Sequence, residues 1–197
     1  MNPKALRLDH DVIYRIVEPE SKVLDLGCGN VDRIYCLARV QGAKVQGIEY
    51  DDNAIHECVK RGLSVFHSDI EGGLGEYPDC SFDYVILNQS MQEAKQVDLV
   101  IQDALRVGRT VIVGFPNFAY IGARLMLFFR GKAPITPSLP YCWHDTPNIR
   151  FLSIGDFRDF CREKNLRVRE AHCLGKKGII PFWPNLFALN AIFVVTK

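Results

Sequence analysis

Apolar positions along the chain follow two rhythms. Short runs with little charge recur at 22–26 (KVLDL), 43–49 (AKVQGIE), 63–69 (LSVFHSD), 82–87 (FDYVIL) and 110–115 (TVIVGF). Each has the length and β-branched content of a strand, and the fourth, nearly all apolar, suits a strand buried on both faces. Between these runs the spacing lengthens to that of a helix. Val12, Ile13, Ile16 and Val17 share one face over 9–17, and Pro19 ends that segment. Ile34, Leu37 and Ala38 mark a helix over 32–40. Ala54, Ile55, Cys58 and Val59 mark another over 52–62, with Gly62 as a natural stop.

Residues 71–81 hold Gly72, Gly73, Gly75 and Pro78 and read as a loop. Residues 91–107 are weakly helical, and 119–130 is an apolar helix that reads first as core, with a partner surface as the alternative. The segment 131–150 carries Pro134, Pro137, Pro140 and Pro147 and is expected to cross the mouth of the domain as a loop. Ser153 with Asp156 has the pattern of a capping box, opening a helix to about Lys164. RVREAHCL (167–174) and ALNAIFVVT (188–196) close the chain as strands. With no long helical crossover between them, they should pair antiparallel. Strands and helices in series predict an α/β domain spanning 1–197, with an open, mostly parallel sheet and helices on both faces.

The totals fit one domain: 197 residues, 48% hydrophobic, formal net charge +1. Scattered Lys and Arg give no footprint for nucleic acid or an acidic membrane, and Lys176-Lys177 is too short to count. Seven cysteines include no C-x-x-C pair, so they read as reduced thiols, and the expected location is cytoplasmic. MNPKALRLDHD lacks the apolar core of a secretory signal. YIGARLMLFF carries Arg124, and FWPNLFALNAIFVV carries Pro184, Asn185 and Asn190. Cys142 and His144 lie close, but no second metal-spaced pair accompanies them, and no metal is expected.

The chemistry gathers where strands end. In such sheets a ligand lies beyond the carboxyl ends of the strands, near the point where strand order reverses. Residues 25–31, 49–51, 69–70 and 88–90 should therefore surround one crevice. Gly27 and Gly29 permit a sharp turn and close backbone approach. Glu49 closes the second strand and suits the two hydroxyls of a ribose. Asp69 can accept from an exocyclic adenine amine, with Ile70 against the ring. A dinucleotide fits less well. The position for the third glycine of that fingerprint is Asp32, and a pyrophosphate would meet the Asp25 carboxylate. A carboxylate there suits a cationic ligand, and S-adenosylmethionine carries a sulfonium and an ammonium.

VLDLGCG, GIEYD, HSDI and FDYVILNQS resemble the successive motifs of class I S-adenosylmethionine-dependent methyltransferases. GFPNF and LPYCWHDTPNI narrow the resemblance to the MetW family of methionine biosynthesis, over roughly Leu6 to Thr196. The resemblance implies a Rossmann-like seven-stranded sheet with a terminal antiparallel strand inserted beside strand five. It implies that S-adenosylmethionine or S-adenosylhomocysteine meets Asp25, Gly27, Cys28, Gly29, Glu49, Tyr50, Asp69 and Ile70, with Asn88 beginning the segment beside the methionine end. Val31 stands where the family loop has a third glycine, and Asn30 replaces a commoner acid. Val31 is expected to crowd the amino-acid end of the ligand.

The resemblance further implies a partner or activator of a homoserine O-acyltransferase. The alternative is a methyltransferase acting on a small molecule, and a further one is a fold that binds no cofactor. NQSMQ (88–92) lacks the Asn/Asp-Pro-Pro-aromatic pattern of enzymes that methylate amide or base nitrogens. For a catalytic base the candidates are His144, with Asp145 to orient it, and Tyr141 and Trp143 as pocket walls. His67 lies near the crevice, while His10 and His56 read as helix-surface groups. Two apolar surfaces, within 120–131 and 178–187, are left unranked as partner faces.

Overall fold

A computed structural model of the chain describes residues 7–29, 31–72 and 74–197. Asn30 and Gly73, and most of the N-terminal stretch read for a signal, lie outside the described residues. The chain forms α1 (Leu8–Ile16), β1 (Lys22–Leu26), α2 (Val31–Arg39), β2 (Lys44–Glu49), α3 (Asp52–Lys60), β3 (Ser64–His67) and β4 (Phe82–Asn88). After a 3-10 turn (Met91–Glu93) come α4 (Val97–Val107), β5 (Gly108–Pro116), α5 (Ile121–Arg130), α6 (Ile154–Glu163), β6 (Arg167–Leu174), α7 (Pro184–Phe187) and β7 (Asn190–Thr196).

The sheet has seven strands in the order β3-β2-β1-β4-β5-β7-β6. The first five run parallel; β7 is antiparallel to both β5 and β6. Strand order reverses between β1 and β4, so the turns after these two strands flank the crevice expected there. Successive strand residues enter opposite layers. Leu24, Val113 and Phe193 belong to one core, with Phe115 and Phe157. Val23, Ile112 and Ile192 belong to the other, with Val12 and Ile13 of α1.

Local rules set the helix ends. Asp51 accepts from the Ala54 N–H at 2.8 Å and caps α3. Ser153 and Asp156 form the reciprocal box that opens α6. The apolar segment 119–130 differs from its first reading: α5 buries only Ala123, and most of its large side chains face solvent. The short α7, unexpected from the sequence, follows Trp183, whose backbone is left-handed at φ 44°. No helix among the described residues is long and apolar enough to cross a membrane.

Candidate functional site

The turn after β1 hooks over the end of β2, with the Gly27 and Cys28 N–H groups donating to the Ile48 carbonyl at 2.9 and 3.3 Å. Beside it, at the carboxyl ends of β1, β2 and β4, lies a cavity of about 210 Å³. Gly27, Glu49, Tyr50, Asp69, Ile70 and Ser90 line it. The structure therefore gathers five of the expected residues on one slot.

Glu49 is held by its own turn. Its Oε1 accepts from the Tyr50 and Asp51 N–H groups at 2.8 and 3.0 Å. Those two bonds use the lone pairs of one oxygen and leave Oε2 free to accept two hydroxyl hydrogens. Oε2 faces the glycine loop: a Cβ on Gly29 would lie 3.6 Å from it. Asp69 Oδ1 accepts from the Glu71 N–H at 3.1 Å, which shapes the turn after β3 and leaves Oδ2 uncommitted. Ile70 is half-buried against the core. Tyr50 is exposed and tilts against His67, with ring centroids 5.6 Å apart.

The slot is anionic. Glu49, Asp69, Glu71 and Glu93 line it against the single cation Lys95. Desolvation, and then the nearby Glu49 charge, raise the Glu93 pKa above the ordinary carboxylate value. A pyrophosphate would be repelled here, whereas an adenosyl ligand bearing a sulfonium matches the charge. The acceptor set fits such a ligand.

Several expected roles are corrected. Asp25 does not reach the slot as a free carboxylate. It is fully buried, and both its oxygens accept from Arg33 of α2, at 2.8 and 2.9 Å. Burial raises the Asp25 pKa, and Arg33 counters it. The negative charge expected from Asp25 thus comes from Glu49, Asp69, Glu71 and Glu93. Gly27 is required by protein contacts: its φ is +70°, and Ser90 packs against it. Cys28 turns into a small core with Ile34, Cys58 and Leu63, where burial pushes its thiol pKa up. Val31 packs against that same core, so its side chain stabilises the start of α2.

Asn88 is buried behind the slot. Its Nδ2 donates to Asp9 of α1 at 3.0 Å, and Gly114 leaves room for its carboxamide, which a Cβ would strike. Gln89 follows in a left-handed conformation (φ 64°), and Ser90 reaches back to the Leu26 carbonyl at 2.6 Å. His10, read as a surface group, is buried. Its pKa falls to about 4, through burial first, with Asp9 opposing and Arg33 and Arg7 assisting. His144 and Asp145 are exposed and line neither this slot nor the cleft beside it; His144 packs against Trp143.

That neighbouring cleft measures about 410 Å³ and is bounded by Asp9, Gln89, Gln92, Tyr141, Asn148 and Asn190, among others. The loop 131–150 supplies one wall. Gln92 is buried, donates to the Gln89 carbonyl at 2.9 Å, and has an Oε1 without a hydrogen-bond partner. Arg33, Asp9, Gln92 and Glu93 were absent from the expected set. Arg33 alone left a trace in the sequence, as a charge beside Ile34 on the apolar side of α2.

A family model described as methionine biosynthesis protein MetW matches residues 7–195. The bifunctional methionine biosynthesis protein MetXA/MetW of Rhodopirellula baltica is 36% identical over 175 residues, covering 84% of this chain and 28% of that protein. Sterol 24-C-methyltransferase erg6 of Schizosaccharomyces pombe is 30% identical over 108 residues, covering 51% of this chain and 29% of that protein. The chain thus spans under a third of the length of either curated relative. Among solved structures, an S-adenosylmethionine-dependent methyltransferase of Thermotoga maritima, described as a possible histamine N-methyltransferase, superposes with a TM-score of 0.67 at 19% identity. It covers 96% of this chain and 88% of that one. A Haloferax volcanii protein described as a putative methyltransferase, in complex with the Trm112 methyltransferase activator, gives 0.68 at 15% identity, covering 96% and 90%. The fold is that of the class I methyltransferases.

Proposed function

The chain belongs to the MetW family of methionine biosynthesis proteins, and from that premise we propose that it is a binding and regulatory protein. It takes S-adenosylmethionine or S-adenosylhomocysteine in the slot and acts as partner and activator of a homoserine O-acyltransferase. The observation that carries this reading is the Rhodopirellula baltica relative, in which MetXA and MetW share one polypeptide. Two proteins that are fused in one organism have reason to touch in another.

The slot supports the ligand half. Glu49 Oε2 would accept from the ribose hydroxyls, Asp69 Oδ2 from the adenine amine, and Ile70 would cover the ring. Asp25 contributes indirectly, by tying the start of α2 to the end of β1. When bound, S-adenosylmethionine supplies a sulfonium-borne methyl group. In the regulatory role that group is recognised by its charge. If ligand and partner bind one chain and affect each other, each alters the other's affinity by the same factor. The acyltransferase would then respond to the level of an adenosyl end product.

Titration calorimetry with both adenosyl compounds, and acyltransferase rates with and without the chain, test the reading. Expected are measurable binding of at least one compound and a raised acylation rate. An unchanged rate together with no co-purifying acyltransferase removes the partner role. Absence of heat with either compound removes the ligand role.

A small-molecule methyltransferase is the second reading, favoured by the polar cleft adjoining the slot. It predicts labelled methyl transfer into some component of a metabolite extract. Binding without any labelled product would eliminate it.

A further inference from the structure

Helix α5 is apolar on most of its circumference yet buries only Ala123. Leu125, Phe128 and Phe129, spaced i, i+3, i+4, share one face and are 48%, 81% and 75% exposed. Helix α3 also buries a single side chain, Cys58, but offers Asp52, Asn53, His56 and Glu57 to solvent. The exposure of α5 is thus a property of its sequence and not of peripheral helices in general. A contiguous apolar face of this kind marks an interaction site.

A second exposed pair, Phe182 and Trp183, is fastened to the approach to α5. Asn117 Nδ2 donates to the Asn185 and Ala188 carbonyls at 3.1 and 2.8 Å, while its Oδ1 accepts from the Ala119 N–H at 3.2 Å. One buried carboxamide therefore holds α7 and the segment entering α5 together. Trp183 is held in a left-handed backbone and is 73% exposed, a strained arrangement that does not bury the largest side chain in the segment.

Charge narrows the occupant. Arg124, Arg130 and Lys132 rim the face, and no Asp or Glu occurs between Asn117 and His144. A two-fold pairing of copies would set these cations against each other. A partner with an apolar recess and an acidic rim would not suffer that repulsion. Resting on the partner reading above, we propose that the α5 face, anchored by Leu125, Phe128 and Phe129 and flanked by Phe182 and Trp183, is where the homoserine acyltransferase docks. The chain leaving α5 forms a wall of the polar cleft, and Ile135 is tied back to Met126 by an N–H···Sδ contact of 3.3 Å. Docking on α5 would therefore act directly on the segment that shapes the cleft.

The test uses the whole chain and the homoserine acyltransferase of the same organism, by titration calorimetry and sedimentation. Phe128→Asp/Phe129→Asp is expected to weaken the complex at least about thirtyfold, the effect of losing a central anchor. S-adenosylhomocysteine binding by the free variant should be unchanged, which also reports its folding. Arg124→Glu/Arg130→Glu, which leaves the core untouched, should weaken the complex and flatten its salt dependence. Wild-type chain that fails to bind the acyltransferase overturns the partner reading and this one together. Wild-type binding that survives both variants overturns this one alone. So does a wild-type dimer, or adhesion to phosphatidylglycerol vesicles, that Phe128→Asp/Phe129→Asp abolishes while the acyltransferase complex persists.

Discussion

A Cβ on Gly27 would lie 2.5 Å from the Cβ of Ser90, so the turns after β1 and β4 meet through the missing side chain of a glycine. Gly29, two positions on, is open except toward Glu49 Oε2. The two glycines should therefore separate in mutation. Gly27→Ala, strained at φ +70° and in collision with Ser90, should lower unfolding free energy by about 1–3 kcal/mol. Gly29→Ala should shift urea unfolding by less than about 0.5 kcal/mol while weakening adenosyl binding about tenfold, since its methyl enters the space before Glu49. Equal unfolding midpoints for the two variants would contradict this assignment.

The Asp25–Arg33 pair predicts a stability effect distinct from binding. Asp25→Asn leaves a buried guanidinium without its counter-charge and should cost about 3–5 kcal/mol in chemical denaturation. Asp25→Leu/Arg33→Met, which removes both charges at similar volume, should recover most of that loss. A double variant as unstable as Asp25→Asn would show that the site needs charge for another reason.

Glu49→Gln keeps an acceptor for the Tyr50 and Asp51 amides but replaces the free oxygen by a donor. Adenosyl affinity should fall about ten- to hundredfold, the range for a hydrogen bond to a charged group. A 2′-deoxyadenosyl analogue should lose less on the same substitution, because one of the two hydroxyls is already missing. Identical losses for both ligands would place Glu49 away from the ribose.

His10 makes stability depend on pH in a predictable direction. Its pKa in the fold is about 4, below the ordinary value near 6.5, so the unfolded chain binds more protons between those limits. Its contribution is complete above about pH 6.5 and is lost as pH falls toward 4, by about 3 kcal/mol in all. Asp9, whose pKa burial pushes up but the Asn88 hydrogen bond and then His10 and Arg7 together bring below the ordinary carboxylate value, adds its own loss at still lower pH. His10→Leu should flatten the upper window only. Urea midpoints at pH 7.5 and 5 for the two proteins decide it.

Most of the framework was legible because it rests on short-range signals. β1 and β6 fall where their sequences place them, and the Ser153–Asp156 cap is a pattern of four adjacent positions. Glu49 could be placed on the slot because it ends the strand paired with β1, beside the strand-order reversal. What escaped depends on distant partners. Asp9 meets Asn88 across 79 positions, and no local period announces it. Asp25 looked like a ligand carboxylate because nothing in its own neighbourhood shows that Arg33 folds back from the first turn of α2 to neutralise it. The first reading of α5 as core failed for a related reason. Apolar periodicity shows that a helix has something to cover, but not whether the cover belongs to the same chain.

An uncovered apolar helix changes how such a chain is handled in the cell. A ten-residue helix whose only fully buried side chain is a methyl group is stabilised little by packing. If the proposed partner covers that face, a chain made alone would display two adjacent phenylalanines to chaperones and proteases. Synthesis in matched amounts would then be a condition of survival, and a fused gene guarantees that stoichiometry at translation.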